Sequence, residues 1–119
     1  MSTRALDATL RHVPGPSGVV IIDLHGEIDS LAEEALNAAY AEANAHNPTR
    51  LLLNFSDVDY INSTGIALIV GVLARARKSK QQLLICGLSD HYAEIFQITR
   101  LADFMRIFPD EASALADSQ

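Results

Sequence analysis

The chain has 119 residues, one domain's worth, and its 49% hydrophobic and 20% charged content supplies enough apolar material for a buried core. A formal net charge of -6 argues against a surface built for nucleic acid or an anionic membrane, since both need clustered Lys and Arg. No apolar run approaches the ~18 residues that span a bilayer, and the opening MSTRALDATLRHV has no signal-peptide core, so a cytosolic protein is expected.

Residues 5 to 12 are expected as an edge strand, and PGPSG at 14–18 as a turn. VVIIDLHG, 19–26, is β-branched and of strand length. EIDSLAEEALNAAYAEANAH then turns helical. Ser30 or Asp29 can cap it, and Glu33 completes a capping-box pattern with Ser30. Leu31, Ala35, Leu36, Ala39 and Tyr40 form its apolar stripe. NPTR breaks that helix, and LLLNF at 51–55 reads as a strand buried on both faces. SDVDYINS reads as a loop, and a second helix is expected from about 64 to 79. The basic RARKSK at 75–80 suits that helix's end, where cations complement the dipole. QQLLICGL is a further strand, and its Cys86, the single cysteine, is expected in the core. SDHYAEIFQITRL is a short helix capped by Ser89 or Asp90. FMRIF is a last strand, and Pro109 starts a terminal helix that ends in a solvated DEASALADSQ. Strands alternating with helices predict an α/β fold: a mixed, mainly parallel sheet of four to five strands packed with about four helices.

The junction VDYINSTGIALIV, 58–70, is where chemistry concentrates. Asn62 and Ser63 are both good N-cap residues, and Gly65 lets the backbone pass close to a neighbour. A helix N-terminus presents free N–H groups and a positive dipole end, both favourable to a phosphate on Ser63. At about 100° per residue, Ile66, Ile69, Val70, Leu73 and Ala76 share a face expected in the core. The opposite strip, Ala67, Leu68, Gly71, Val72 and Arg75, is unusually apolar. Either it docks a partner or the segment after 89 covers it.

LLLNFSDVDYINSTGIALIV, 51–70, resembles the core signature of the STAS domain family, specifically bacterial anti-sigma factor antagonists. The family pattern is an apolar strand, a short loop, then Asp-Ser-Ser/Thr-Gly-Leu/Ile opening a helix. LHGEID at 24–29 resembles the family's Gly-Glu-Leu/Ile-Asp turn, and LLICGLSDHYAEIFQITRLADFMRIF resembles its closing strands and helix. The resemblance implies one STAS domain over 1–119, recognisable across 18–116. It implies a phosphorylation-controlled binder of a serine-kinase anti-sigma factor, one that frees a sigma factor. Ser63 is then the phospho-acceptor, and a PP2C-type phosphatase reverses the mark. Asp29 matches the family's acidic turn residue and Thr64 its second hydroxyl, and together with Asn62, Gly65 and the α2 strip Ala67, Leu68, Gly71, Val72 and Arg75 they make the expected partner-binding set. The family's Asp before the serine is Asn62 here, which keeps a cap and removes a charge. The alternative is a non-switching STAS scaffold subunit of a larger signalling or lipid-transport assembly.

Other chemistry is poorly supported. His12, His25, His46 and His91 have no metal-site spacing, and Asp23 in an apolar strand suggests an edge or hydrogen-bonded position. A hydrolase elbow needs Gly-x-Ser-x-Gly, whose first glycine NSTGI lacks. Neither glycine-rich nucleotide motif is present, so no cofactor and no metal is expected, and no enzyme activity.

Overall fold

A computed structural model describes residues 5–13 and 18–116. The edge strand expected at the start is β1 (Asp7–His12), antiparallel to β2 (Val19–Ile28), with Leu10 opposite Ile22. Most of the PGPSG turn lies outside the described residues, as does the tail beyond 116. β3 (Arg50–Ile61), β4 (Gln82–Cys86) and β5 (Arg106–Phe108) follow in parallel, giving the sheet order β1-β2-β3-β4-β5. Between them run α1 (Glu33–Asn44), α2 (Ser63–Lys78) and α3 (Asp90–Ile98), and α4 (Glu111–Ala116) follows. The expected mixed, mainly parallel α/β architecture is the observed one.

Alternation along the strands sorts the core into two layers. Val20, Ile22, Leu24, Leu51, Leu53, Phe55, Leu83 and Ile85 point to the face that α1 and α2 cover. Phe96 of α3 is fully buried there, edge-to-face with Phe55 at 6.4 Å. Val19, Ile21, Leu52, Leu84 and Cys86 point the other way, under Ala114 of α4. Cys86 is the core residue expected, and burial pushes its thiol up to about 11. On the same face Arg11 donates to Asp23 and to Glu111, tying β1, β2 and α4 together. Asn54 Nδ2 donates to Asp23 at 2.8 Å. The Arg11 hydrogen bond holds the Asp23 carboxyl below its usual range, which is the hydrogen-bonded role its position suggested.

Three readings need correction. The segment 56–61 is strand, not loop. β3 continues past the last residue paired with β4, Asn54, and stays registered with β2, with Tyr60 opposite Glu27 and Ile61 opposite Ile28. Irregularities at Asp23–His25 and Gly26–Glu27 absorb the mismatch and hide the alternation that would mark a strand. The capping box at Ser30–Glu33 does not form. Asp29 instead caps a short 3-10 turn, Ser30–Ala32, by accepting from the Leu31 N–H at 2.9 Å, and α1 starts without a side-chain cap. Finally, Leu31 is no part of the α1 core stripe, being 81% exposed, whereas Leu36, Ala39 and Tyr40 are buried.

Candidate functional site

The β2–β3 pair projects beyond the rest of the sheet, and the site is built on its tip. Ile28 ends β2 and Ile61 ends β3, side by side. The chain leaves them as Asp29 on one side and Asn62 on the other. The Asn62 N–H donates to the Ile28 carbonyl at 3.2 Å, and Asn62 Oδ1 accepts from the Gly65 N–H at 2.8 Å. Asn62 is therefore the cap of α2, with extended backbone, and Ser63 is the first helical residue. Of the two cap candidates the structure selects Asn62. Ser63 makes no side-chain hydrogen bond among the described residues and is exposed, as is Thr64. First-turn N–H groups have no acceptor inside a helix, so those of Ser63 and Thr64 are left to outside partners.

Gly65 is buried because α2 enters directly over the end of β2. A Cβ placed on it would stand 1.9 Å from the Ile28 carbonyl oxygen. Tyr92 of α3 holds the same corner, its hydroxyl accepting from the Ile61 N–H at 2.9 Å. Neither periodicity nor motif flagged Tyr92. Its one local signal is Ser89 three residues earlier, which caps α3 on the Tyr92 N–H. Tyr92→Phe removes the acceptor for the buried Ile61 amide. The expected cost is about 1–3 kcal/mol in chemical denaturation, with faster hydrogen exchange at Ile61 than at Leu53. Unchanged exchange at Ile61 would show that the tip does not depend on this contact.

The face of α2 turned to solvent differs from the expected strip by a small rotation. Ser63, Thr64, Ala67, Val70, Gly71, Ala74, Arg77 and Lys78 are exposed, while Ile69, Leu73 and Ala76 are buried. Val72, expected on the strip, is 2% exposed and packs in the core. Val70, expected in the core, is 40% exposed. Ile66 and Leu68 are half-buried. Arg75 leans on α1, its guanidinium 4.9 Å from the Tyr40 ring centroid and donating to Asn37 Oδ1 at 2.6 Å. Between the hydroxyl pair and the basic last turn, the exposed face carries only Ala, Val and Gly.

The site residues thus gather unequally. Asp29, Asn62, Ser63, Thr64 and Gly65 meet at the tip, and Ala67 and Gly71 continue from it along α2. Val72 and Arg75 turn away. Two exposed apolar side chains are additions: Leu31, expected in the α1 stripe, and Tyr60, which the sequence pattern did not single out. His25 pairs with Asp57 at 2.7 Å, and the rings of His12 and His46 touch, with centroids 4.3 Å apart. No described helix is long and apolar enough to cross a membrane.

Comparison with known proteins fits this geometry. A family model described as STAS domain matches residues 11–114. The protein BtrV of Bordetella bronchiseptica is 32% identical over 92 residues, 77% of either chain. An anti-sigma-B factor antagonist of Staphylococcus aureus is 29% identical over 86 residues, 72% of this chain and 80% of that one. Among solved structures, an anti-sigma factor antagonist from Mycobacterium paratuberculosis has a TM-score of 0.78 at 20% identity, covering 93% of this chain and 92% of that one. The phosphorylated form of the Bacillus cell fate determinant SpoIIAA has a TM-score of 0.66 at 23% identity, covering 89% and 95%. The structural likenesses, at such identities, speak to the fold. With one family model spanning nearly all of its described length, the chain belongs to the STAS domain family.

Proposed function

We propose that this protein is an anti-sigma factor antagonist that binds a serine-kinase anti-sigma factor and is switched off by phosphorylation at Ser63. The observation that carries this is the position of Ser63. It is exposed, first in α2, and released from capping because Asn62 does that work. A phosphate there meets first-turn N–H groups and the positive end of the dipole, so it leaves the fold in place. The same phosphate stands at the edge of the apolar α2 face, where a partner would have to bury it. Asp29, Asn62, Thr64, Ala67, Leu68 and Gly71 contribute the docking surface, extended by Leu31, and buried Gly65 sets how closely α2 sits on β2 beneath it. A PP2C-type phosphatase restores the binding form, and the protein acts in the cytoplasm without catalysing a reaction itself. Its named relatives include an anti-sigma-B factor antagonist, which supports this reading.

Asn62, where the family has Asp, favours a second reading: a STAS subunit that holds an assembly together and is never phosphorylated. One experiment separates the two. Incubation of the full chain with an anti-sigma serine kinase and ATP, followed by peptide mass spectrometry, should place one phosphate on Ser63 and none on Thr64. No phosphate with any such kinase overturns the switch and favours the scaffold.

A further inference from the structure

Toward the far end of α2 from Ser63, an open apolar groove lies between the helix and Phe104, which follows the short 3-10 turn Leu101–Asp103, and it adjoins a more polar hollow that Gln81 and Gln82 help to line. Leu73 forms its floor, and Val70, Ala74 and Phe104 its walls. Phe104 is 53% exposed, a large aromatic left in water beside the exposed Val70. No described element covers them. The rim is cationic. Arg77 lies over the Phe104 ring at 5.2 Å, and Arg106 lines the adjoining hollow. Among the described residues no carboxylate lines the groove, and the one in the adjoining hollow, Asp103, already takes the Arg100 Nε at 2.7 Å. Lys78 stands next to Arg77 in the last turn of α2. In a chain of net charge -6, this end is locally positive.

An apolar slot with cations on its rim selects an occupant with the opposite rim. We propose that the groove docks an acidic amphipathic segment of another protein. Its apolar side chain seats between Val70 and Phe104, and its flanking carboxylates meet Arg77. A second copy of this chain is the poorer fit, because two-fold pairing of the groove would set Arg77 against Arg77. From Val70 the first helical residue is ~10 Å away along α2, and from Arg77 ~20 Å. The groove is thus a separate contact from the Ser63 tip, and it stands whether or not Ser63 is ever phosphorylated.

The test is an NMR titration of the isotope-labelled full chain with a synthetic helical peptide carrying Leu on one face and Glu on the others. Amide shifts should be confined to residues 70–78 and 103–106. Phe104→Ser and Arg77→Glu, both at exposed positions and checked for unchanged thermal melting, should each weaken binding about tenfold or more. Ser63→Asp should leave this binding unchanged, which separates it from the phosphorylation reading. A peptide with Lys in place of Glu should not bind. The proposal is overturned if the acidic peptide gives no shifts or gives shifts at residues 60–67. It is equally overturned if the Lys peptide binds as well, or if the same amides shift with protein concentration alone, which would make a second copy the occupant.

Discussion

Gly65→Ala should destabilise the protein by about 3 kcal/mol and lower its melting temperature by roughly 10–15 °C, although alanine is the better helix former. The reason is what the methyl group would meet. It would sit 1.9 Å from the Ile28 carbonyl oxygen and 2.7 Å from the Ile28 carbonyl carbon, backbone atoms that cannot rotate aside. The first turn of α2 would have to lift off β2 by more than an ångström. That lift breaks the Asn62 N–H bond to the same carbonyl and strains the Gly65–Asn62 cap. Overpacking of this kind costs about 1–3 kcal/mol, and the loosened hydrogen bonds add ~1 kcal/mol each. The helix propensity gained, ~1 kcal/mol, is too small to offset them. Gly71→Ala is the control on the same helix. Nothing lies within 4 Å of its added Cβ, and the position is exposed. Propensity then acts alone, and stability should rise by about 0.5–1 kcal/mol. Urea denaturation of both variants decides the matter. If Gly65→Ala is as stable as wild type, the close approach of α2 to β2 is not a constraint, and the tip is softer than its geometry implies.

The same contrast explains what the sequence could and could not reveal. The succession of strands and helices, and the junction where α2 begins, follow from local patterns: the apolar run at 51–53, the cap-like residues at 62 and 63, and the basic end of α2. The projecting half of β3 does not, because Ser56, Asp57 and Asp59 look like loop residues and only pairing with β2, far away in sequence, makes them strand. The rotation of α2 was also hidden. Residues 65–73 are apolar or glycine on every side, so periodicity gives a helix without a phase. The phase is set by Gly65 against Ile28 and by the burial of Ile69, Leu73 and Ala76. That is why Val70 and Val72 exchange the places expected for them. Phe104 and Met105 make the same point at the other end. They are neighbours, one half-exposed and one buried, and the turn that leads into them begins at Arg100 in a left-handed conformation (φ 68°) that composition does not announce.

The exchange at Val70 and Val72 bears on the proposed phosphorylation switch, because with Val72 buried the outward face of α2 next to Ser63 carries the small residues Ala67 and Gly71. A partner lying against Ala67 and Gly71 comes close to the helix backbone and so encloses the Ser63 side chain at its edge. Ser63→Asp should therefore weaken binding of the anti-sigma kinase about 100-fold relative to Ser63→Ala, a difference of ~3 kcal/mol. The cost arises in the complex alone. In the free protein a carboxylate in the first turn of α2 is favourable by about 0.3–1 kcal/mol, so the Asp variant should melt no lower than wild type. A loss of affinity without a loss of stability is the signature expected of a charge that repels a partner and spares its host. Asp29, on the adjoining turn, adds to the negative field that the new charge joins. Ser63→Ala removes only an exposed hydroxyl that makes no side-chain hydrogen bond among the described residues, and should bind as tightly as the unmodified protein. Calorimetric titration of both variants, with thermal melts alongside, gives the answer. Equal affinities would refute the switch, and a Ser63→Asp protein that melts well below wild type would move the effect from the interface to the fold.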